Sequence, residues 1–262
     1  MMARMPTLFI SHGSPMLAIQ ESPAHRFLLG LGHALPKPTA ILVASAHWES
    51  VGGPTLSLTP DPETIHDFGG FPRALSEIQY GAPGAPETAV RAADFLQREG
   101  LTVKTSATRG LDHGAWVPLS LMYPQADIPV AQISVVRGAT PGEHLRIGRA
   151  LSQLREDGVL VIGSGSLTHN LYELRGHDIN APVPPWVTDF ATWMNERLER
   201  NDSESLVNFY EEAPFAKRNH PSEEHISPLF VAMGAAGEAP TIKHLHGSYE
   251  YGVLAMDIYA FE

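Results

Sequence analysis

Short, continuously apolar runs alternate along the chain with longer segments in which apolar residues recur at helical spacing. An apolar run of four to seven residues indicates a strand buried on both faces, whereas the 3.6-residue period indicates an amphipathic helix. The pattern predicts strands at residues 7–10, 40–44, 55–58, 102–105, 129–135, 159–162, 241–245 and 253–259. It predicts helices at 24–35, 87–99, 116–122, 142–156, 185–201, 203–210 and 227–236.

This alternation predicts a single α/β domain over residues 1–262, with a central mixed, mostly parallel sheet and helices on both faces. A long loop rich in Pro and Gly separates two of the predicted elements, at residues 59–86. Loops of that length are usually lids or binding loops, so we expect this one to border the functional site.

Composition narrows the function classes. The 262 residues carry a formal net charge of -11, which disfavours nucleic acid or an anionic membrane surface as a partner. The chain has no cysteine, so thiolate metal sites and disulfides are excluded, and a metal would need nitrogen or oxygen donors. No apolar run reaches the ~20 residues of a membrane span, and residues 1–6 show no signal-peptide pattern. A cytoplasmic protein is therefore expected.

Histidines follow several of the strand-like runs. His12, His47 and His169 come after apolar runs, and His113 is a looser case because polar residues precede it. Open α/β sheets build their sites at the carboxyl ends of the strands, and neutral imidazole is the commonest metal ligand. We therefore expect a metal site at this edge. Other histidines lie in predicted loops or on polar helix faces and are expected to be structural: His25, His33, His66, His144 and His177.

A further candidate ligand lies just before the predicted helix at 227–236. There the sequence contains His220, Glu223, Glu224 and His225. These residues could simply cap the helix, or one of them could complete a three-ligand site. Because the commoner non-haem iron pattern has a carboxylate as third ligand, Glu223 and Glu224 compete with His225 at this stage.

Other catalytic motifs are weak. The run Gly163-Ser164-Gly165-Ser166 breaks the spacing of a nucleophile elbow and lacks the Lys of a phosphate loop. No G-x-G-x-x-G motif follows the first strand, so dinucleotide binding is unsupported.

Taken in order, five motifs resemble those of the class III extradiol ring-cleavage dioxygenases, the superfamily that includes the protocatechuate 4,5-dioxygenases. Among its branches they most resemble the 4,5-DOPA dioxygenase extradiol-like proteins, and the resemblance runs from Leu8 to Ile258. The motifs are Ser11-His12-Gly13-Ser14-Pro15, Ser45-Ala46-His47-Trp48, the stretch 110–119 around His113, the stretch 163–170 that ends in His169-Asn170, and His220-Pro221-Ser222-Glu223-Glu224-His225.

This resemblance implies that His12, His47 and His225 bind one divalent metal. It implies that His169 is the acid/base residue, or a further ligand when zinc is bound, and that His113 faces the substrate. The loop around Phe68 and Phe71 would lie at the mouth of the site, and with Trp48 these rings are expected to contact substrate. Plain core packing is an equal alternative for the aromatic residues.

The implied reaction uses O2 to open a catechol ring beside its diol and yields a muconate semialdehyde. Fe(II) is expected for activity and Zn(II) is a plausible occupant of the same ligands. Two alternatives remain at this stage: a zinc-dependent hydrolase with the same histidines, and a non-catalytic binding protein of the same fold. The sequence does not identify the catechol. It is compatible with a homo-oligomer.

Overall fold

The computed structural model describes residues 4–262. Residues 1–3, part of the predicted domain and of the segment 1–6, lie outside the described residues. Ten strands occur within the described range. They are β1 (Thr7–Ser11), β2 (Ala40–Ser50), β3 (Thr55–Ser57), β4 (Lys104–Ser106), β5 (Val130–Val136), β6 (Val159–Gly165), β7 (Ile242–His246), β8 (Tyr249–Glu250), β9 (Leu254–Ala255) and β10 (Ile258–Phe261).

Eleven α-helices surround or follow these strands among the described residues. They are α1 (Pro23–Ala34), α2 (Arg73–Ser76), α3 (Pro86–Arg98), α4 (His113–Met122), α5 (Pro141–Leu151), α6 (Leu171–Leu174), α7 (Pro185–Glu199), α8 (Ser203–Val207), α9 (Phe209–Glu212), α10 (Ala216–Asn219) and α11 (Ser227–Ala235). Two 3₁₀ helices cover Pro15–Ala18 and Ser152–Asp157. No helix of residues 4–262 combines the length and the apolar character needed to cross a bilayer.

Eight strands form one mixed sheet in the order β4-β3-β5-β2-β6-β1-β10-β7. The four central strands β5, β2, β6 and β1 are parallel to their neighbours in this group, while β10 joins β1 antiparallel. The predicted class is therefore confirmed. Because β1, β2 and β6 are parallel neighbours, their carboxyl ends meet at one edge of the sheet.

The sheet has helices on both faces, since alternate residues of a strand point to opposite sides. Ile41 and Val43 of β2 belong to the core cluster that includes α1 and α4. Leu42 and Ala44 belong to the cluster that includes α3, α5 and α11. This double burial explains why β2 and β6 are continuously apolar.

Several predicted boundaries differ from the structure. Strand β2 extends to Ser50, so His47 lies within it instead of after it. Helix α4 begins at His113, earlier than predicted, because Asp112 caps it and supplies a side-chain oxygen to the backbone N–H of Ala115. The strand predicted at 253–259 is divided between β9 and β10.

Candidate metal centre and substrate cavity

The carboxyl ends of β1, β2 and β6 bring the first two histidines together. His12 directly follows β1 and its backbone N–H donates to Gly165 O of β6 (2.9 Å). His47 lies in β2 where the pairing with β5 shifts register between Ser45 and Glu49. Such an irregularity redirects a side chain from the regular alternation of a strand. The Nε2 atoms of His12 and His47 are consequently 3.0 Å apart.

His225 reaches the same place because the segment before α11 packs against the end of β6. The backbone N–H of Ser166 donates to His225 O (2.8 Å). A Cβ atom on Gly165 would lie only 2.1 Å from that carbonyl oxygen, so only glycine permits this approach. The His225 Nε2 atom is thereby placed 3.3 Å from His47 Nε2.

His113 joins the group through the N-terminus of α4. The carboxylate of Asp112, which is fully buried, accepts a hydrogen bond from Ser45 Oγ of β2 (2.6 Å) while it caps α4. This links the helix to the strand that carries His47. The rings of His113 and His47 are 3.8 Å apart between centroids.

The Nδ1 atoms of two of these imidazoles are occupied by hydrogen bonds. Ser164 Oγ donates its own proton to Gly114 O, so it accepts from His12 Nδ1 (2.9 Å). Glu224 Oε1 lies 3.0 Å from His225 Nδ1, and a carboxylate oxygen can only accept. Both imidazoles therefore carry the proton on Nδ1 and leave Nε2 with a free lone pair.

The loop that follows β3 places a carboxylate near two of the histidines, and this negative charge favours a proton on Nδ1 of His47. Asp67 Oδ2 lies 3.5 Å from His47 Nδ1, and Asp67 Oδ1 lies 2.9 Å from His113 Nδ1. The backbone N–H of His113 also donates to Asp67 Oδ1 (3.1 Å). One carboxylate thus orients two histidines, which is the kind of outer contact that fixes metal-ligating imidazoles.

This donor set fits a metal ion. With the proton of each imidazole on Nδ1, three Nε2 lone pairs face one another at 3.0 and 3.3 Å, and a cation between them would satisfy all three. Their separation is close to the ~3.4 Å expected between tetrahedral ligands at ~2.1 Å from an ion. Burial lowers the pKa of His12 and His225 well below the ordinary value and lowers that of His47 to about 4. The imidazoles are therefore neutral, as ligands must be.

Two separate groups of three side chains meet the distance requirement for a metal site. Donor atoms of His12, His47 and His113 lie within 4.8 Å of one another, and so do those of His169, Glu224 and His225. The structure thus brings all five sequence-predicted histidines into one cluster. Of the two competing glutamates, Glu224 contacts Nδ1 of His225 through its carboxylate. The backbone oxygen of Glu223 accepts a hydrogen bond from Ser227 Oγ at the start of α11.

His169 stacks on His225, with ring centroids 3.4 Å apart and planes 10° from parallel. Its backbone N–H donates to Asn219 O (3.0 Å), and His220 Nε2, which is fully buried, donates to Leu167 O (2.8 Å) two residues earlier. Burial, and after it the charge of His220, lowers the pKa of His169 to about 3. His220 therefore supports the His169 loop and is not itself in the cluster.

Beside the histidines is a cavity of about 290 Å³. Its lining consists of Gly13, Ser14, Pro15, His47, Asp67, Phe68, Gly69, Phe71, His113, His169, Leu171, Leu174, His225 and Leu254. The Phe68 ring packs edge-on against both Phe71 (5.5 Å) and His113 (5.7 Å). Two of the three predicted aromatic contacts thus line the cavity, and the predicted loop forms its wall.

Trp48 is not among the lining residues. The next residue after His47 in a strand points to the other side, and the Trp48 ring there packs under the guanidinium of Arg109 at 5.0 Å. Arg109 also donates to His47 O (3.2 Å) and to Asp112 Oδ2 (2.5 Å). The structure therefore agrees with core packing of Trp48 and does not place its ring at the cavity.

The sequence reasoning missed Asp67, Ser164, Leu171 and Leu174. Asp67 belongs to the loop that was expected to border the site, and a carboxylate among apolar residues was the available signal. Ser164 had been weighed only as part of a nucleophile elbow or phosphate loop, whereas it orients His12. Nothing in the sequence pattern marked Leu171 or Leu174, which line the cavity from the short helix α6.

Histidines predicted to be structural lie outside the lining. His144 Nε2, for example, accepts a hydrogen bond from the backbone N–H of Val136.

Comparisons with known proteins agree with this geometry. Residues 6–261 match the family profile described as the catalytic LigB subunit of aromatic ring-opening dioxygenase. A protein named 4,5-DOPA dioxygenase extradiol from Beta vulgaris is 44% identical over 259 residues, which is 97% of this chain and 96% of that protein. A protein of the same name from Escherichia coli K12 is 38% identical over 257 residues, 97% and 93% of the two chains.

A solved structure gives the same result for the fold. The crystal structure of an uncharacterized protein from Escherichia coli K12 aligns with a TM-score of 0.82 at 31% sequence identity. The alignment covers 99% of this chain and 100% of the other chain.

Proposed function

The chain belongs to the family of LigB, the catalytic subunit of aromatic ring-opening dioxygenases, and from that membership we propose how its own residues open a catechol ring beside the diol. It is an enzyme of the extradiol ring-cleavage class. The proposed ligands are His12, His47 and His225, the proposed metal is Fe(II), and the proposed products are muconate semialdehydes. Zn(II) is proposed as an inactive occupant of the same ligands.

The observation that carries the ligand proposal is the convergence of the three Nε2 atoms, at 3.0 and 3.3 Å, in a cavity lined by aromatic side chains. The contact between His225 and His47 supports His225, in preference to His113, as the third ligand. Ferrous iron held by three neutral imidazoles would keep most of its positive charge, and it would supply the redox chemistry by which a catecholate reacts with O2.

We propose His169 as the acid/base residue. Its ring nitrogens have no hydrogen-bond partner within the described residues, and the ring lines the cavity beside His225. An imidazole in this position can accept a proton from a catechol hydroxyl and return one later, as positioned acid/base groups do. Burial lowers its pKa to about 3, so the imidazole is neutral and has an unprotonated ring nitrogen.

We propose His113 as the residue that orients the substrate. Asp67 fixes its Nδ1, so its Nε2 lone pair is available to accept a hydrogen bond from the second catechol hydroxyl. The pKa of Asp67 would rise on burial, but its hydrogen bonds from His113 lower the value to about 2. The carboxylate therefore stays charged. Phe68 and Phe71 line the cavity beside these groups, where apolar rings reduce the access of water.

The test is ring cleavage by protein loaded with iron without air. Catechol, 4-methylcatechol and DOPA are each mixed with O2, and the yellow semialdehyde, oxygen uptake and a mass gain of two oxygen atoms are followed. We expect yellow product and one O2 consumed per catechol with iron, and no product with zinc.

Protein that binds iron fully but yields no ring-opened product from any of these catechols would contradict the proposal. Product formation by the zinc-loaded protein would contradict the choice of iron.

A further inference from the structure

The cavity wall beyond the histidines is apolar. The side chains that line it there are Pro15, Phe68, Phe71, Leu171, Leu174 and Leu254. Phe71 and Leu171 are partly exposed (38% and 54%), so they form the rim of the opening. A substituent on the catechol ring that points away from the histidines would therefore contact apolar surface. The volume, about 290 Å³, is at the small end for ligand cavities and suits a single ring with a short substituent.

No lysine or arginine lines this cavity among residues 4–262. The nearby arginines are used elsewhere: Arg218 pairs with Glu173 (2.8 Å) and its guanidinium stacks on Trp186 (4.4 Å). Arg175, which follows Leu174, is exposed and is absent from the lining. A carboxylate is usually recognised by a bidentate arginine, and this wall offers none.

The one carboxylate in the cavity disfavours anionic substituents further. Asp67 Oδ1 already accepts two hydrogen bonds from His113, and Asp67 Oδ2 lies 3.5 Å from His47 Nδ1. The carboxylate remains charged, so it would repel a second carboxylate. The whole chain, at -11, adds to this repulsion. A substrate carboxylate placed against the apolar wall would lose its hydration without gaining a partner, which is unfavourable.

From these contacts we propose that the preferred substrate is a catechol with a short, uncharged apolar substituent, and that zwitterionic DOPA is a poor substrate. The proposal rests on the proposed function, because it takes the diol to lie at the histidines. It concerns Leu171, Leu174, Phe68 and Phe71 as the residues that determine specificity. Each methylene buried against this wall should strengthen binding roughly fourfold.

The first test is equilibrium binding, which does not depend on turnover. Zinc-loaded protein is titrated without air with 4-propylcatechol and with 3-(3,4-dihydroxyphenyl)propionate by calorimetry. These two ligands have side chains of equal length that differ in a terminal methyl or carboxylate group. We expect 4-propylcatechol to bind at least about tenfold more tightly. Equal or tighter binding of the propionate would overturn the proposal.

The second test is turnover by the iron-loaded enzyme. We expect kcat/KM for 4-propylcatechol to exceed that for DOPA and for the propionate by at least about tenfold. If DOPA is cleaved as efficiently as 4-propylcatechol, the substrate proposal is wrong while the proposed function stands. If no catechol is cleaved, the proposed function is wrong, and the binding comparison still decides whether the wall prefers an apolar substituent.

Variants at the rim test whether the apolar wall of the cavity causes the substrate preference. Leu171→Arg supplies the missing cation, so it should raise kcat/KM for the propionate relative to 4-propylcatechol by about tenfold. Leu171→Ala should weaken binding of 4-propylcatechol severalfold with little change for unsubstituted catechol. Leu29 of α1 has similar exposure (46%) and is not in the lining, so Leu29→Arg and Leu29→Ala are the matched controls. If the preference between the propionate and 4-propylcatechol is the same in the Leu171 and Leu29 variants, Leu171 does not determine specificity and the proposal for this residue is wrong.

Discussion

The imidazoles of this cluster differ in the hydrogen-bond partner of Nδ1. Ser164 and Glu224 hold the Nδ1 atoms of His12 and His225, which turns both Nε2 atoms toward the common point. His169 has no such partner within the described residues and stacks on His225 instead. An oriented imidazole suits ligation, whereas an imidazole free at both nitrogens suits proton transfer.

This difference predicts distinct effects for two alanine variants. His12→Ala should remove bound iron and activity together, because a missing ligand lowers metal affinity directly. His169→Ala should retain most of the iron and lose ~10²–10⁴-fold in turnover, the usual contribution of a positioned acid/base. Metal content by mass spectrometry and kcat would be measured on the same samples. If His169→Ala binds as little iron as His12→Ala, then His169 is a ligand and His113 must transfer the proton.

At the scale of elements, two glycines allow neighbouring segments to approach closely, and these approaches determine where the histidines meet. Gly165 of β6 lies against the backbone that carries His225, and Gly114 of α4 lies against Ser45 and His47 of β2. A Cβ on Gly114 would come within 2.5 Å of Ser45 Oγ. These contacts place a helix and a loop directly on the sheet edge, so the convergence of the histidines depends on backbone packing as well as on the imidazoles themselves.

A pair of Gly→Ala variants tests this dependence. Gly165→Ala would place Cβ 2.1 Å from His225 O, so we expect a loss of about 3 kcal/mol in the free energy of unfolding and weaker zinc binding. A Cβ added to Gly30 of α1 would have no neighbouring atom within 4 Å, so Gly30→Ala should stabilise by up to ~1 kcal/mol through helix propensity. Urea unfolding and zinc titration measure both. Similar stability and zinc affinity in the two variants would refute the packing argument.

At the scale of the whole molecule, buried neutral histidines make stability depend on pH. Burial lowers the pKa of His220 to about 4 and that of His47 to about 4, both from 6.5. Below about pH 6.5 the unfolded chain binds protons that the folded chain does not, so acid favours unfolding. The stability is therefore complete above about pH 6.5 and decreases as pH falls toward 4.

For the metal-free protein, we expect the free energy of unfolding to fall between about pH 7.5 and about pH 5 by about 2 kcal/mol from His220 alone. Urea unfolding at the two pH values measures the decrease. His220→Gln is the matched variant, because glutamine keeps an N–H donor for Leu167 O but does not titrate. Its decrease should be smaller by about 2 kcal/mol, whatever its absolute stability. An unchanged decrease would show that His220 does not cause the pH dependence.

The sequence by itself determined the fold class and the set of histidines that meet. Periodicity is local, so the first residues of the strands β2 and β6 and of the helices α3 and α5 could be predicted to within one residue. The rule that sites form at the carboxyl ends of parallel strands then brought His12, His47 and His169 to one edge. The third position stayed open between His225 and two glutamates, because spacing does not show which side chain points inward.

Only the tertiary structure decided the contacts between residues far apart in the chain. Asp67 joins His113 across 46 positions and Ser164 joins His12 across 152, so neither partner could be found from local pattern. The register shift in β2 likewise sets the directions of His47 and Trp48, and it depends on pairing with β5. Orientation, tautomer and cavity lining follow from packing between elements, and packing is not encoded in the periodicity of any single element.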